Sequence, residues 1–427
     1  MFKLVLSTGT ITIISRLAFQ IAQILSLPFL VDMYGKELFG ELATVISLNI
    51  GITLFGLGLS KTMQNVLSKM IGKGNLEQIS IQVTKYANAT LFSLIFVLTS
   101  YISAVWIADS QELEFSISTS LLTLFGISAF FQVINEFMYD VLRGIQNVKL
   151  VAKVLATTSF NGVVMLFLSI SLKLDLPEMF FLSYVLPHFI TTVILISSDN
   201  LKKYLDFKAF FIGLKNFNID FTVYKNKVVW SFFFLTLVQF MMYGADTLII
   251  ATNLSLIEAG EYNIISRFYT VSIFVFSAFT SVLWPLIRAK SYKGEKVDFF
   301  RLELITFFVS AISFICINLF AESIVYTIFD GVYNNIKMLV FLISIQTSIG
   351  IVTSYVIPVL NAYERIVPQI YSALTMLVTK FFLITLWGEQ LKVEHVVIST
   401  IVPQVVFCLI PLYLVYRNDK HRNNKLQ

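Results

Sequence analysis

Two apolar runs, each holding a charge, constrain this chain most. They cover Val228–Thr252 and Ala259–Ile287 and are joined by the six-residue turn Asn253–Glu258. Each is long enough to cross a bilayer, which takes about 20 apolar residues. The first carries Asp246 and the second Arg267. Asp246 lies about six residues from the shared turn and Arg267 about eight, so at ~1.5 Å per residue both sit on the order of 9–12 Å inside one membrane face. A lone charge at that depth costs roughly 3 kcal/mol or more, so it turns toward a bundle interior or a watery cavity and finds a partner. The matched depth predicts that Asp246 and Arg267 pair, as a structural lock on the hairpin or as part of a binding site. Either outcome requires a bundle with a polar interior.

Composition extends this to the whole chain. Hydrophobic residues make up 57% and charged residues 13%, against about 25% charged in ordinary globular domains. With a mean hydropathy of +0.80, a water-soluble fold is excluded. Cys316 and Cys408 both fall in apolar runs, and His188, His395 and His421 are scattered, so no disulfide framework or zinc spacing exists. No cofactor is expected. The N-terminal apolar run lacks a small-residue cleavage site and reads as a retained helix.

Twelve spans are predicted, at 9–31, 39–60, 81–107, 117–142, 151–172, 177–197, 228–252, 259–287, 299–320, 336–358, 366–387 and 394–416. Of the 31 Lys and Arg, 24 fall on or within a few residues of the N-terminus and the even-numbered connections, four on or beside the odd-numbered ones and three deeper within spans. That asymmetry places both termini in the cytoplasm. It also makes the basic surplus a matter of topology, with no nucleic-acid partner. Trp106, Trp230, Trp284 and Trp387 all fall at span ends, as an interfacial belt requires. Four regions follow: an N-terminal six-helix lobe at 1–197, an amphipathic cytoplasmic linker at 198–227, a C-terminal six-helix lobe at 228–416 and a basic cytoplasmic tail at 417–427. The linker interleaves Lys202, Lys203, Lys208 and Lys215 with Phe207, Phe210, Phe211 and Phe217, and reads in part as a helix lying on membrane lipid.

An internal repeat joins the lobes. Leu38-Phe39-Gly40-Glu41 opens the second span and Glu258-Ala259-Gly260-Glu261 the eighth, at an offset of 220. Six spans per half make such a repeat parallel, about an axis along the membrane normal, with substrate between the halves.

Candidate lumen residues lie on polar stripes. Arg16, Gln20 and Gln23 share one face of the first span; Gln239, Tyr243 and Asp246 share a face of the seventh. The fourth span carries Gln132, Glu136, Asp140 and Arg143, and the eleventh carries Lys380. Arg16, Arg267 and Lys380 are intramembrane cations suited to an anionic cargo, with Arg16 alternatively snorkelling to the surface and Lys380 to the opposite rim. Asp246, Glu136 and Asp140 are candidates for coupling or gating. Asp140 and Arg143 read as interfacial, and His188 after Pro187 reads as a residue filling a kink. Pro28, Pro187, Pro285, Pro358 and Pro403, with Gly51, Gly56 and Gly58, mark kinks in the spans.

Asp246 followed by Gly260-Glu261-Tyr262 and Arg267, together with Gly56-Leu57-Gly58 and Arg143-Gly144-Ile145-Gln146, resembles the polysaccharide-transporter branch of the multidrug/oligosaccharidyl-lipid/polysaccharide exporter superfamily. The resemblance covers essentially the whole chain, through short motifs. It implies an all-α integral membrane protein with about 12 transmembrane helices in two six-helix lobes around a central cavity, lined by helices 1 and 7. It implies an O-antigen-type flippase of the bacterial inner membrane, not an enzyme, moving an undecaprenyl-diphosphate-linked oligosaccharide to the periplasmic face by alternating access. Expected partners are that lipid-linked oligosaccharide, membrane lipids, a polysaccharide polymerase and a chain-length regulator, with a proton or sodium gradient as driving force. The nearest rival is a drug or cation antiporter of the same superfamily, which should show unpaired acidic residues in its lumen. A membrane-embedded polymerase is disfavoured because the longest external connection, 321–335, has 15 residues.

Overall fold

The computed structural model describes residues 2–407 apart from 76, 112–116, 205–219, 293–298, 329–335, 355 and 363–365, with side chains undescribed at 2–16 and over much of 277–302. The first half is built from α1 (Phe2–Ser47), α2 (Leu59–Lys73), α3 (Ile79–Ser110), α4 (Thr119–Gly144), α5 (Val148–Ser171), α6 (Leu176–Phe180) and α7 (Leu186–Ser197). The second half comprises α8 (Lys227–Gln239), α9 (Ala245–Asn253), α10 (Leu256–Tyr292), α11 (Phe299–Ile328) and α12 (Ile336–Ser354), then α13 (Val356–Ala362), α14 (Val367–Trp387) and α15 (Val393–Phe407). Among the described residues no strand occurs. Nine described helices are long and apolar enough to cross a membrane. The second leg of α1, the long helix α10 and the shorter Val393–Val406 segment complete the twelve expected spans.

Spans 1 and 2 run as one helix broken only at Gly35, whose φ of 75° and ψ of 170° reverse the chain. A side chain would be strained there. Span 2 then tightens into a 3-10 segment, Leu48–Gly56, and ends where Leu57 and Gly58 both adopt left-handed conformations. A 3-10 run of nine residues is far beyond the usual three or four and marks local strain or a hinge. The glycine run expected to break this span does so.

Two further irregularities face the molecular centre. Span 6 carries a π-turn at Phe181–Val185, with the Leu186 N–H bonded to the Phe181 carbonyl. Pro187 follows, and its ring and missing N–H disfavour a regular helix just before it. Span 7 carries a second π-turn at Phe240–Gly244, between α8 and α9.

Four apolar clusters hold the bundle. One gathers Leu27, Leu42, Leu121 and Phe180, and a second Leu59, Met63, Val83 and Leu142. The other two centre on Phe232, Met242 and Leu360, and on Ile250, Ile343 and Val397. Phe96, Phe160, Phe307, Tyr371 and Val378 are largely exposed around the periphery. Such a girdle is the surface that lipid covers, since soluble monomers rarely expose large contiguous apolar patches. The interfacial helix expected in the linker falls on 205–219, outside the described residues.

Candidate functional site

The polar stripes converge on a cavity of about 500 Å³ between the two halves. Span 1 contributes Phe19, Gln20 and Gln23; span 4 contributes Gln132, Asn135, Glu136 and Tyr139. From the π-turn of span 6 come Ser183 and Tyr184, with Pro187 and His188 beyond it. Span 7 supplies Tyr243 and Thr247, and span 8 the rest of the facing wall, including Tyr262, Asn263, Ser266, Arg267 and Tyr269.

Arg267 is 7% exposed and meets no carboxylate among the described residues. Its Nη1 donates to Gln23 Oε1 at 3.0 Å and its Nε to Asn263 Oδ1 at 3.2 Å. Gln23 in turn donates through Nε2 to the Tyr184 hydroxyl at 3.4 Å. Neutral amides orient the guanidinium without cancelling its charge. Beside it, the buried Gln20 Oε1 has no hydrogen-bond partner among the described residues. Asn135 is by contrast partnered at both its nitrogen and its oxygen, donating to the His188 carbonyl and accepting from Thr192, both at 2.9 Å.

The expected Asp246–Arg267 pair is not formed. Asp246 and Lys380 are both fully buried and pair with each other. Tyr262 Oη donates to Asp246 Oδ2 at 3.2 Å, and Thr400 Oγ1 to the same oxygen at 3.3 Å. Lys380 Nζ also donates to the Met241 carbonyl at 3.1 Å and to that of Met242, both within the π-turn. Depth along a helix is legible from a turn, but the direction a side chain takes is not. Arg267 faces span 1 and the cavity, whereas Asp246 faces spans 11 and 12. The lumen positions expected for Lys380 and Gln239 are therefore corrected: neither lines the cavity, and Asp246 stands behind its wall with Tyr262 between. Arg16 lies on α1, with its side chain outside the described residues.

In the first half, Asp140 is fully buried and Arg143 nearly so, correcting their expected interfacial placement. Lys61 and Arg143 each reach Asp140 at 2.9 Å; Arg143 reaches Glu136 at 3.5 Å and Lys61 reaches it at 3.9 Å. Two cations thus balance two carboxylates. Of the two acids only Glu136 touches the cavity. His188, read as a kink filler, lines the cavity as well. The sequence reading left out the stripe Asn263, Ser266 and Thr270 beside Arg267, although its three- and four-residue steps carried the helical signal.

No protein-family model and no curated protein sequence matches the chain. Solved structures do. An outward-facing multidrug resistance MATE family transporter of the MOP superfamily superposes with a TM-score of 0.68 at 12% identity, over 98% of this chain and 96% of that one. The inward-facing conformation of a MATE family transporter of that superfamily gives 0.66 at 13%, over 96% and 99%. A MATE structure in the bent conformation gives 0.65 at 13%, over 97% and 95%. The chain shares their fold. In these proteins, as expected here, twelve helices form two lobes about a central cavity, and the near-equal scores leave neither facing state preferred.

Proposed function

We propose that this chain is an alternating-access exporter of drug-sized amphiphiles, with the anionic or strongly hydrogen-bonding end of the cargo held by Arg267. The observation that carries this reading is a buried guanidinium facing a cavity with, among the described residues, only amide oxygens for partners. Such a charge remains under-compensated, and a carboxylate, sulfonate or phosphate oxygen would meet its planar fork in two parallel bonds. Phe19, Tyr139, Tyr243 and Tyr269 offer ring faces to an apolar body. The volume supports a compact cargo, since drug-sized ligands occupy pockets of roughly 300–1,000 Å³. The likeness to multidrug transporters supports the same reading. Glu136, the carboxylate lining the cavity among the described residues, is the proposed site for a driving proton or sodium ion.

Flipping of a lipid-linked oligosaccharide is the second reading. It is favoured by the hydrogen-bonding wall of Gln20, Asn49, Gln132 and Asn263, which suits sugar hydroxyls.

Proteoliposomes with an imposed proton or sodium gradient test the first reading against a panel of anionic and cationic fluorescent amphiphiles. Anionic members should be transported, and Arg267→Gln should abolish this while the protein still reconstitutes. Arg267→Lys should restore it partly, because a point charge remains without the fork. Transport of cationic members that survives Arg267→Gln would overturn the assignment. Flipping of a diphosphate-linked oligosaccharide with no amphiphile transport would transfer the function to the second reading.

A further inference from the structure

We infer that Gly40 and Gly260, equivalent residues of the two halves, form a gate that closes the cavity toward the face bearing the odd-numbered connections. The inference rests on the alternating-access reading and names the surface that must part for it.

Gly40 lies early in span 2 and Gly260 early in span 8, 220 residues apart. A Cβ built on Gly40 would overlap the backbone carbonyl of Leu256, the first residue of α10. A Cβ on Gly260 would stand 3.2 Å from the Phe39 ring and 3.4 Å from the Gly40 Cα. One helical turn further in, Asn263 Nδ2 donates to the Ala43 carbonyl at 3.4 Å, and these residues are again 220 apart. Under a parallel two-fold repeat, equivalent residues meet only near the axis that relates the halves. Two successive meetings, Gly40 with Gly260 and Ala43 with Asn263, place that axis through the span 2–span 8 contact. Asn263 lines the cavity while Phe39 and Ala259 are buried, so the contact is the cavity's cover on that face.

The chemistry of the cover suits repeated opening. Small residues let the helices approach backbone to backbone, and the Asn263–Ala43 contact between them is a long amide–carbonyl bond. At the outer edge of the contact the exposed Lys36 and the half-buried Glu261 attract across the two segments, an interaction that solvent screens and that parting weakens at little cost. The opposite face is closed in a similar manner. There Asn65 of α2 donates to the Asn361 carbonyl of α13 at 3.3 Å. The halves thus touch on both sides of the cavity.

Side-chain accessibility tests the gate without knowledge of the cargo, so its failure and a failure of the proposed function are distinguishable. Ser159 lines the cavity, and Ser159→Cys in a Cys316→Ser, Cys408→Ser background reports access by a membrane-impermeant maleimide. Gly40→Val or Gly260→Val should raise the labelling rate from the odd-connection face at least about tenfold, the effect of one unrelieved overpacking clash on a closed state. An unchanged rate in a folded variant, or acceleration only from the other face, overturns the inference. Should both valine variants fail to accumulate, Ala43→Cys with Asn263→Cys carries the test. Mild oxidation should join spans 2 and 8 in the membrane-embedded protein, and absence of that cross-link overturns the contact.

Discussion

A guanidinium bonded to amide oxygens and a carboxylate sealed against an ammonium are opposite uses of buried charge. Arg267 lines the cavity and meets no carboxylate among the described residues, whereas Asp246 and Lys380 neutralise each other outside its lining. Removing one partner of such a pair leaves an uncompensated ion and typically costs about 3–5 kcal/mol, while replacing both with apolar residues of similar volume is often neutral. Lys380→Ala and Asp246→Ala should each lower the melting temperature in detergent sharply, and Asp246→Leu with Lys380→Met should recover most of it. Single variants that melt like the parent would show that the pair is not a structural lock. At this scale the sequence pointed to charges inside the bundle, and Gln20, Gln23, Tyr243, Glu136 and Arg267, which it named as candidates, do line the cavity. It did not reveal partners, because pairing depends on the rotation of helices far apart in sequence: Asp246 and Lys380 are 134 residues apart.

Span 7 shows how an element can belong to both halves. Just before it, the 3-10 turn Phe221–Lys225 is strapped to span 3. Asp220 pairs with Lys85 at 2.6 Å, and Tyr224 Oη donates to the Ala89 carbonyl at 2.7 Å. Val223 and Val229 sit in the apolar cluster of Leu59 and Met63, whereas Phe232 and Met242 sit in the opposing one. The halves are therefore tied where span 7 begins, and its π-turn at Phe240–Gly244 is the natural flexing point. The bond from Lys85 holds the Asp220 carboxyl down to about 2. Because this lies below the unfolded value of about 3.9, the contact stabilises fully above that pH and is lost as pH falls toward 2. Asp220→Asn should thus narrow the stability gap to the parent between pH 6 and pH 3 in thermal melts. The gap should also shrink with salt, since the pair is exposed; a gap independent of both would remove the strap from the account. Proline and glycine positions announced the break at Gly58 and the π-turn before Pro187. The π-turn of span 7 had no such signal, for its freed carbonyls at Met241 and Met242 are taken up by Lys380 from span 11.

For the molecule as a whole, the architecture was largely legible because a bilayer permits few solutions. A spanning segment must satisfy its own backbone, so a run of apolar residues is a helix and little else. Each of the twelve expected spans has its helix in the structure, and the weak repeat at offset 220 marks residues that touch across the axis. The spans alone leave open which face of the membrane each connection meets, and that rests on lysine and arginine. Lys61, Lys69, Lys73, Lys149 and Lys153 lie on one end of the bundle, with Lys36 and Lys173 on the other. Positive charge is retained in the cytoplasm within about 15–20 residues of span ends, so the crowded end should face inward. Reporter fusions after Gly74 and Ser198 should then read as cytoplasmic, and fusions after Ser110 and Glu389 as external. The two external sites lie in different halves, after spans 3 and 11, so they check the halves independently. A cytoplasmic signal at Glu389 with an external one at Ser110 would mean the halves enter the membrane with opposite sense. The repeat would then be inverted, equivalent residues could not meet along an axis normal to the membrane, and the gate at Gly40 and Gly260 would fall with it.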